Sequence, residues 1–213
     1  MKKIYLHPLP IRIWHWINAI IILLLIITGI QLRFSAIDML EYSWTVSFHK
    51  YLGFALTGSF LFWLFYCTVS GAFTKHYVVR LRDIQRMPIQ ALYYMYGLFR
   101  GKPNPFTATP EEKFNALQKL AYLTIMLAAT PIIIVSGILL SDIVVFLVFI
   151  KALGGLRCID AIHVVAGYFF IIYLLIHIYM ATLGERVYSY IKTMVTGYEI
   201  IAGEDSHEEK GDH

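Results

Sequence analysis

Four runs of apolar residues, each free of Asp, Glu, Lys and Arg, divide the chain. They cover 13–32, 51–74, 120–141 and 161–184 and are 20, 24, 22 and 24 residues long. A helix needs about 20 apolar residues to cross a bilayer, so each run predicts one transmembrane helix. The polar stretches between them have characters of their own. Residues 33–50 form an amphipathic connector with Asp38 and Glu41. Residues 75–119 form a long loop: KHYVVRLRDIQR, then the aromatic segment ALYYMYGLF, then the breaker-rich RGKPNPFTATP. The aromatic segment is too short to span and predicts a helix lying at the membrane interface. Thr109-Pro110-Glu111-Glu112 reads as a helix start, with proline at the first position and acids in the first turn. After Asp142 comes IVVFLVFI (143–150), too short to cross, which predicts an interfacial or partner-facing piece. Gly154-Gly155 breaks the chain, and Asp160 leads into the fourth run. A basic amphipathic stretch follows Gly184, and the polar tail 202–213 has too few apolar residues to order itself. No repeat of fixed period is present. The expectation is one domain over 1–201, an all-α integral membrane protein built as a four-helix transmembrane bundle.

Composition agrees with that pattern. The chain is 58% hydrophobic and 15% charged, with mean hydropathy +0.63, far more apolar than a soluble domain. A net charge of +4 and a pI near 9.0 raise the question of nucleic acid, but the basic residues flank the apolar runs instead of forming a stripe. Cys67 and Cys158 occur without a CxxC or CxxCH, which excludes covalent haem attachment and a cysteine-rich iron–sulfur cluster in this chain. Lys2 and Lys3 precede the first apolar run as in a signal peptide, yet that run continues for 20 residues without a small-x-small cleavage site. It is read as a retained helix.

Orientation follows from lysine and arginine. Three lie in 1–12, eight in 75–119 and three after Gly184, fourteen in all, against four in 33–50 and 142–160. Both termini and the long loop are expected in the cytoplasm, and the two sparse connectors outside, in a bacterial inner membrane.

The candidate chemistry lies in the histidines. His163 and His177 stand fourteen residues apart in the fourth run. On a helix this separation returns to nearly the same side and spans about 21 Å. With the expected topology, His15 and His177 lie at the inner depth and His49 and His163 at the outer depth. Ionisable groups inside a membrane are costly and point to function. Two opposed imidazoles at each of two depths suit two bis-histidine haems, which carry electrons and leave no axial position for substrate. A porphyrin lying along a helix wants small residues one turn away. The i+4 residues are Ala19, Gly53, Gly167 and Ala181, although membrane helices also use small residues for packing. A zinc site would gather its ligands at one depth, and a proton path would recruit carboxylates that the runs lack. Arg12, one turn before His15, could pair with an inner haem propionate or serve only as a positive-inside residue. His76, His207 and His213 read as loop or tail residues, and His7 in HPLP as structural. The many Tyr and Trp read as interface anchors.

The segments RIWHWINAIIILLLIITG (12–29), KFNALQKLAYLTIMLAATPIIIVSGILL (113–140) and IHVVAGYFFIIYLLIHIYMA (162–181) resemble the bacterial di-haem cytochrome b membrane subunits of formate dehydrogenase, nickel–iron hydrogenase and thiosulfate reductase complexes. The resemblance covers 12 to about 199. It implies two b haems held at His15, His49, His163 and His177. It also implies a menaquinone or ubiquinone site bordering the inner haem, and electrons exchanged with an outer iron–sulfur or multihaem subunit and its catalytic subunit. In formate dehydrogenase-type members a KxNAGQK-like stretch builds the quinone site. Here Asn115 and Gln118 match it and Leu117 replaces the glycine; the other reading of the two amides is that they cap the third helix. Electrons entering at the outer haem would pass to the inner haem and reduce quinone with cytoplasmic protons; quinol oxidation would use the same parts in reverse. Two rival readings are a plain membrane anchor whose histidines only pack, and a stand-alone quinone oxidoreductase fed by a diffusible donor.

Overall fold

The architecture comes from a computed structural model that describes residues 2–34, 37, 40–106, 109, 112–184 and 187–201. The Pro110-Glu111 helix start and the 202–213 tail lie outside the described residues. Four helices are long and apolar enough to cross a membrane: α1 (Leu9–Arg33), α2 (Tyr42–Val69), the third span Ala116–Ser141, and α7 (Leu156–Ala181), with mean hydropathies between 1.6 and 2.4. Their outward faces expose Ile, Leu and Phe such as Ile20, Phe65 and Leu175, as a lipid-facing helix should. Helix α1 packs against α2, and the third span packs against α7.

The helices start before the uncharged runs, and two of them also end before the runs do. Helix α1 begins four residues before Ile13, α2 nine before Tyr51 and α7 five before Ala161; α2 ends five residues before Thr74 and α7 three before Gly184. The runs were delimited by charge, but a lysine or arginine near a helix end extends its head to polar groups. Lys50 does so, donating from Nζ to the Ser141 carbonyl at 3.0 Å. His49 is the eighth residue of α2.

The third span is composite: α4 (Ala116–Leu123), a π-helical turn (Thr124–Ala129) and α5 (Thr130–Ser141). Pro131 explains the widened turn, since it has no N–H to give and its ring crowds the carbonyl four residues earlier. The half of the bundle that carries His15 and His177 is closed by a cluster of Trp63, Cys67, Tyr77, Ile125, Met126, Ala129 and Phe170. The opposite end is closed by Leu139, Ile150 and Ile159.

The segment 143–150 opens with a turn that leads into α6 (Leu147–Ala152). Ile150 is 1% exposed in the core, while Val144 and Val148 remain exposed. In the long loop, helical structure runs through α3 (Leu81–Leu92) and on to Arg100. Its amphipathicity is inverted relative to a soluble helix. Leu81, Ile84, Ile89 and Leu92 face outward, and Asp83 and Gln90 face the protein. Asp83 Oδ1 accepts from Lys119 Nζ on α4 at 3.0 Å, and Lys119 also donates to Glu112 at 3.0 Å. Burial alone would raise the Asp83 carboxyl, but the Arg80 N–H and Lys119 more than offset it, so Asp83 is held below its ordinary value.

Two short strands, β1 (Lys2–Tyr5) and β2 (Tyr198–Ile201), pair antiparallel from Lys2↔Ile201 to Tyr5↔Tyr198. They follow α8 (Ser189–Thr196) at one end and precede α1 at the other, so both ends of the described chain meet at one end of the bundle. Gly197 makes the joint. Its φ is +86°, and a Cβ there would lie 2.8 Å from the His7 carbonyl, so only glycine fits.

Candidate functional site

The helices bring the four span histidines together in two pairs. His15 on α1 faces His177 on α7 with ring centroids 6.0 Å apart. His49 on α2 faces His163 on α7 at 6.3 Å. Two imidazoles bonded through Nε2 to one metal at about 2.0–2.1 Å each place their centroids roughly 6.3 Å apart. Both pairs therefore have the separation that one iron between them requires.

The outer pair is the more fully built. A cavity of about 390 Å3 is lined by His49, His163, Gly53, Gly167, Gly29 and Gly137. A Cβ at Gly53 or Gly167 would meet nothing within 4 Å, so these glycines leave open space beside the imidazole of the preceding turn. Arg33, Lys50 and Asp160 also line this cavity, with the end of α1 and the end of α5. A flat apolar macrocycle with acidic side chains fits that lining, with its apolar body against Ile and Leu and cations at the rim.

The far nitrogens of the outer pair are anchored. Thr28 Oγ1 lies 2.8 Å from His49 Nδ1, and Ser136 Oγ lies 3.0 Å from His163 Nδ1. Each hydroxyl already donates its single hydrogen to the carbonyl four residues back, Leu24 at 2.7 Å and Ile132 at 2.7 Å. Its oxygen must then accept from Nδ1–H. In that tautomer both Nε2 lone pairs are free to bind a metal.

The inner pair has a different setting. Tyr173 stacks on His177 at 5.7 Å and 23°, and Trp16 meets His15 edge-on at 5.2 Å. His15 Nδ1 is buried without a hydrogen-bond partner among the described residues. Ala19 and Ala181 stand one turn on from His15 and His177. Outside the spans, His7 is held down to about 4 by burial and by Lys113, His15, Arg12 and His76. His76 is held down to about 4 by burial and by Lys113, Lys75 and Lys119. Positive charge thus gathers at this end.

These arrangements identify the class of protein. A model of the prokaryotic cytochrome b561 family matches residues 6–197. The chain belongs to the prokaryotic cytochrome b561 family. It is a multi-pass protein of the bacterial inner membrane and a membrane cytochrome b, so b-type haem and electron transfer across the membrane follow from the family. YdhU of Escherichia coli (strain K12), described as a cytochrome, is 29% identical over 203 residues, which cover 92% of this chain and 75% of that protein.

Other sequence candidates have structural partners. Arg12 donates to the Val195 carbonyl and so ties α1 to α8, while its Nε is buried without a partner among the described residues. Asn115 and Gln118 form a reciprocal cap at the start of α4. Gln118 N–H donates to Asn115 Oδ1 at 2.9 Å, and Asn115 N–H donates to Gln118 Oε1 at 3.0 Å. Asn115 Nδ2 also donates to the Tyr94 hydroxyl at 3.0 Å. Sequence reasoning missed Thr28, Gly29, Ser136 and Gly137. Their signal is a hydroxyl residue followed by glycine, once in the first run and once in the third.

Proposed function

We propose that the chain holds two b haems, one between His15 and His177 and one between His49 and His163, and wires an outer redox subunit to the quinone pool, with both termini cytoplasmic. The observation that carries this is the outer pair: two imidazoles 6.3 Å apart across a glycine-lined cavity, each with Nδ1 tied to a hydroxyl. The inner pair repeats the separation at the other depth of α7.

A bis-imidazole haem supplies reversible one-electron chemistry with no open axial position. The protein's residues supply the rest. Thr28 and Ser136 orient the outer imidazoles, and Tyr173 and Trp16 fix the planes of the inner ones. Gly53 and Gly167 leave room for a macrocycle, and the apolar helices keep water out. Arg33 and Lys50 offer counter-charge at the outer rim, and Arg12 does so at the inner end. Asn115 keeps one amide N–H beyond its cap and Tyr94 bonds, enough to offer a quinone carbonyl; Gln118 holds that amide in place. The outer partner is an iron–sulfur or multihaem subunit with its catalytic subunit. The quinone is menaquinone or ubiquinone.

The test is vectorial electron transfer. Purified protein in proteoliposomes with a quinol in the bilayer and ferricyanide on the side of the 33–50 and 142–160 connectors should reduce that ferricyanide. Retention of both haems with no such reduction would overturn the wiring.

A further inference from the structure

The two histidine pairs differ in what stands behind their metal-facing nitrogens. On α1, Thr28 bonds His49 Nδ1 and Gly29 lets the ring come close; a Cβ at Gly29 would sit 3.3 Å from His49 Cε1. On α5, Ser136 bonds His163 Nδ1, and a Cβ at Gly137 would sit 3.1 Å from His163 Cε1. The same two-residue device therefore serves both outer ligands from two different helices. Behind His15 there is no counterpart, since its Nδ1 is buried and unpartnered among the described residues. The ring of His177 is instead stacked on Tyr173.

We propose that Thr28 and Ser136 are positioning residues that set the outer site at a lower redox potential than the inner site, so that electrons run inward. This rests on the two-haem reading above. An imidazole that donates from Nδ1 to an oxygen gains electron density at Nε2 and becomes a more basic ligand. A more basic axial ligand favours the higher charge of the ferric state and lowers the potential. Both outer ligands gain this effect, and His15 does not. One electron then leaves the outer site, which is oxidised, and arrives at the inner site, which is reduced; no proton or atom moves in that step. A one-electron carrier protein outside supplies the electron. Quinone consumes two of them together with two protons.

The test is a potentiometric titration of the full-length protein in detergent, followed at the haem absorption bands. Wild type should titrate as two components, and His177→Ala should remove the one of higher potential. Fewer than two haems per chain refutes the two-haem reading itself; two haems per chain that titrate as one component refute this proposal alone. Ser136→Ala and Thr28→Val should each raise the lower component by about a tenfold change in its redox equilibrium, about 59 mV for one electron, and leave the upper one in place. Thr28→Ser keeps the hydroxyl and should restore the wild-type value. Where Thr28→Val does not load haem, Ser136→Ala, which removes a single oxygen, decides. An unmoved lower component in a fully loaded Ser136→Ala variant, or a shift confined to the upper component, would overturn the proposal.

Discussion

Alanine at the four glycines around the outer histidines separates space that the protein fills from space that it leaves open. Gly53 and Gly167 meet nothing within 4 Å of a built Cβ, whereas Gly137 and Gly29 meet His163 and His49 at 3.1 and 3.3 Å. All four lie inside helices, where alanine is favoured over glycine by about 1 kcal/mol. Judged on the polypeptide alone, Gly53→Ala and Gly167→Ala should stabilise the protein by up to that amount. If a macrocycle occupies the cavity, the added methyl meets it instead, and the outer haem should be lost or its spectrum shifted. Gly137→Ala acts through the ligand. Carbon atoms prefer separations of about 3.5–4.0 Å, so the His163 ring must retreat by roughly 0.5 Å. That displaces it from Ser136 and weakens the outer site through its ligand. The assay is thermal unfolding of haem-limited and haem-loaded protein, with haem stoichiometry measured on the same samples. The cradle is refuted if Gly53→Ala and Gly167→Ala both bind the full haem complement with an unchanged spectrum.

Three further outcomes follow from the geometry. His177→Ala should lose the inner haem and quinone reactivity and keep the outer haem; difference spectra that show both haems retained would refute the pairing. Lys119→Met leaves Asp83, 1% exposed, without its cation; breaking a buried pair from one side costs about 3–5 kcal/mol, read as a lower unfolding midpoint that Asp83→Asn in the same chain partly restores. His76 titrates at about 4 in the fold against about 6.5 unfolded. Between those pH values the unfolded chain binds a proton that the folded chain does not, so stability falls by up to about 3 kcal/mol as pH drops from 6.5 to 4. A melting series on His76→Gln should show a shallower fall, and an equal one would refute it.

The spans and the histidine depths were legible because both are local. An uncharged run of 20 residues says helix in a membrane, and a fourteen-residue step returns to the same helical side. The helix ends were less legible, since Lys50 and Lys119 sit inside helices once a carbonyl or a carboxylate partner is in reach. Neither partner can be read from neighbours in sequence. The β1–β2 pairing joins residues nearly two hundred positions apart, and strands of four residues give no pattern strong enough to announce it. The inverted face of α3 was hidden for a similar reason. Asp83 looks like a solvated acid until Lys119, from another helix, lies beside it. Thr28 and Ser136 look like ordinary small packing residues of membrane helices. Their role depends on two other helices placing His49 and His163 within 3.0 Å. The capping of α4 by Asn115 and Gln118 was open to either reading in the sequence. The structure shows the cap.

The most direct test of the account is the haem content and spin state of the purified protein. It predicts two b haems per chain, both low-spin in the ferric and ferrous states, as two histidines on each iron require. One haem or none per chain, or a high-spin ferrous signal from an open axial position, would contradict it.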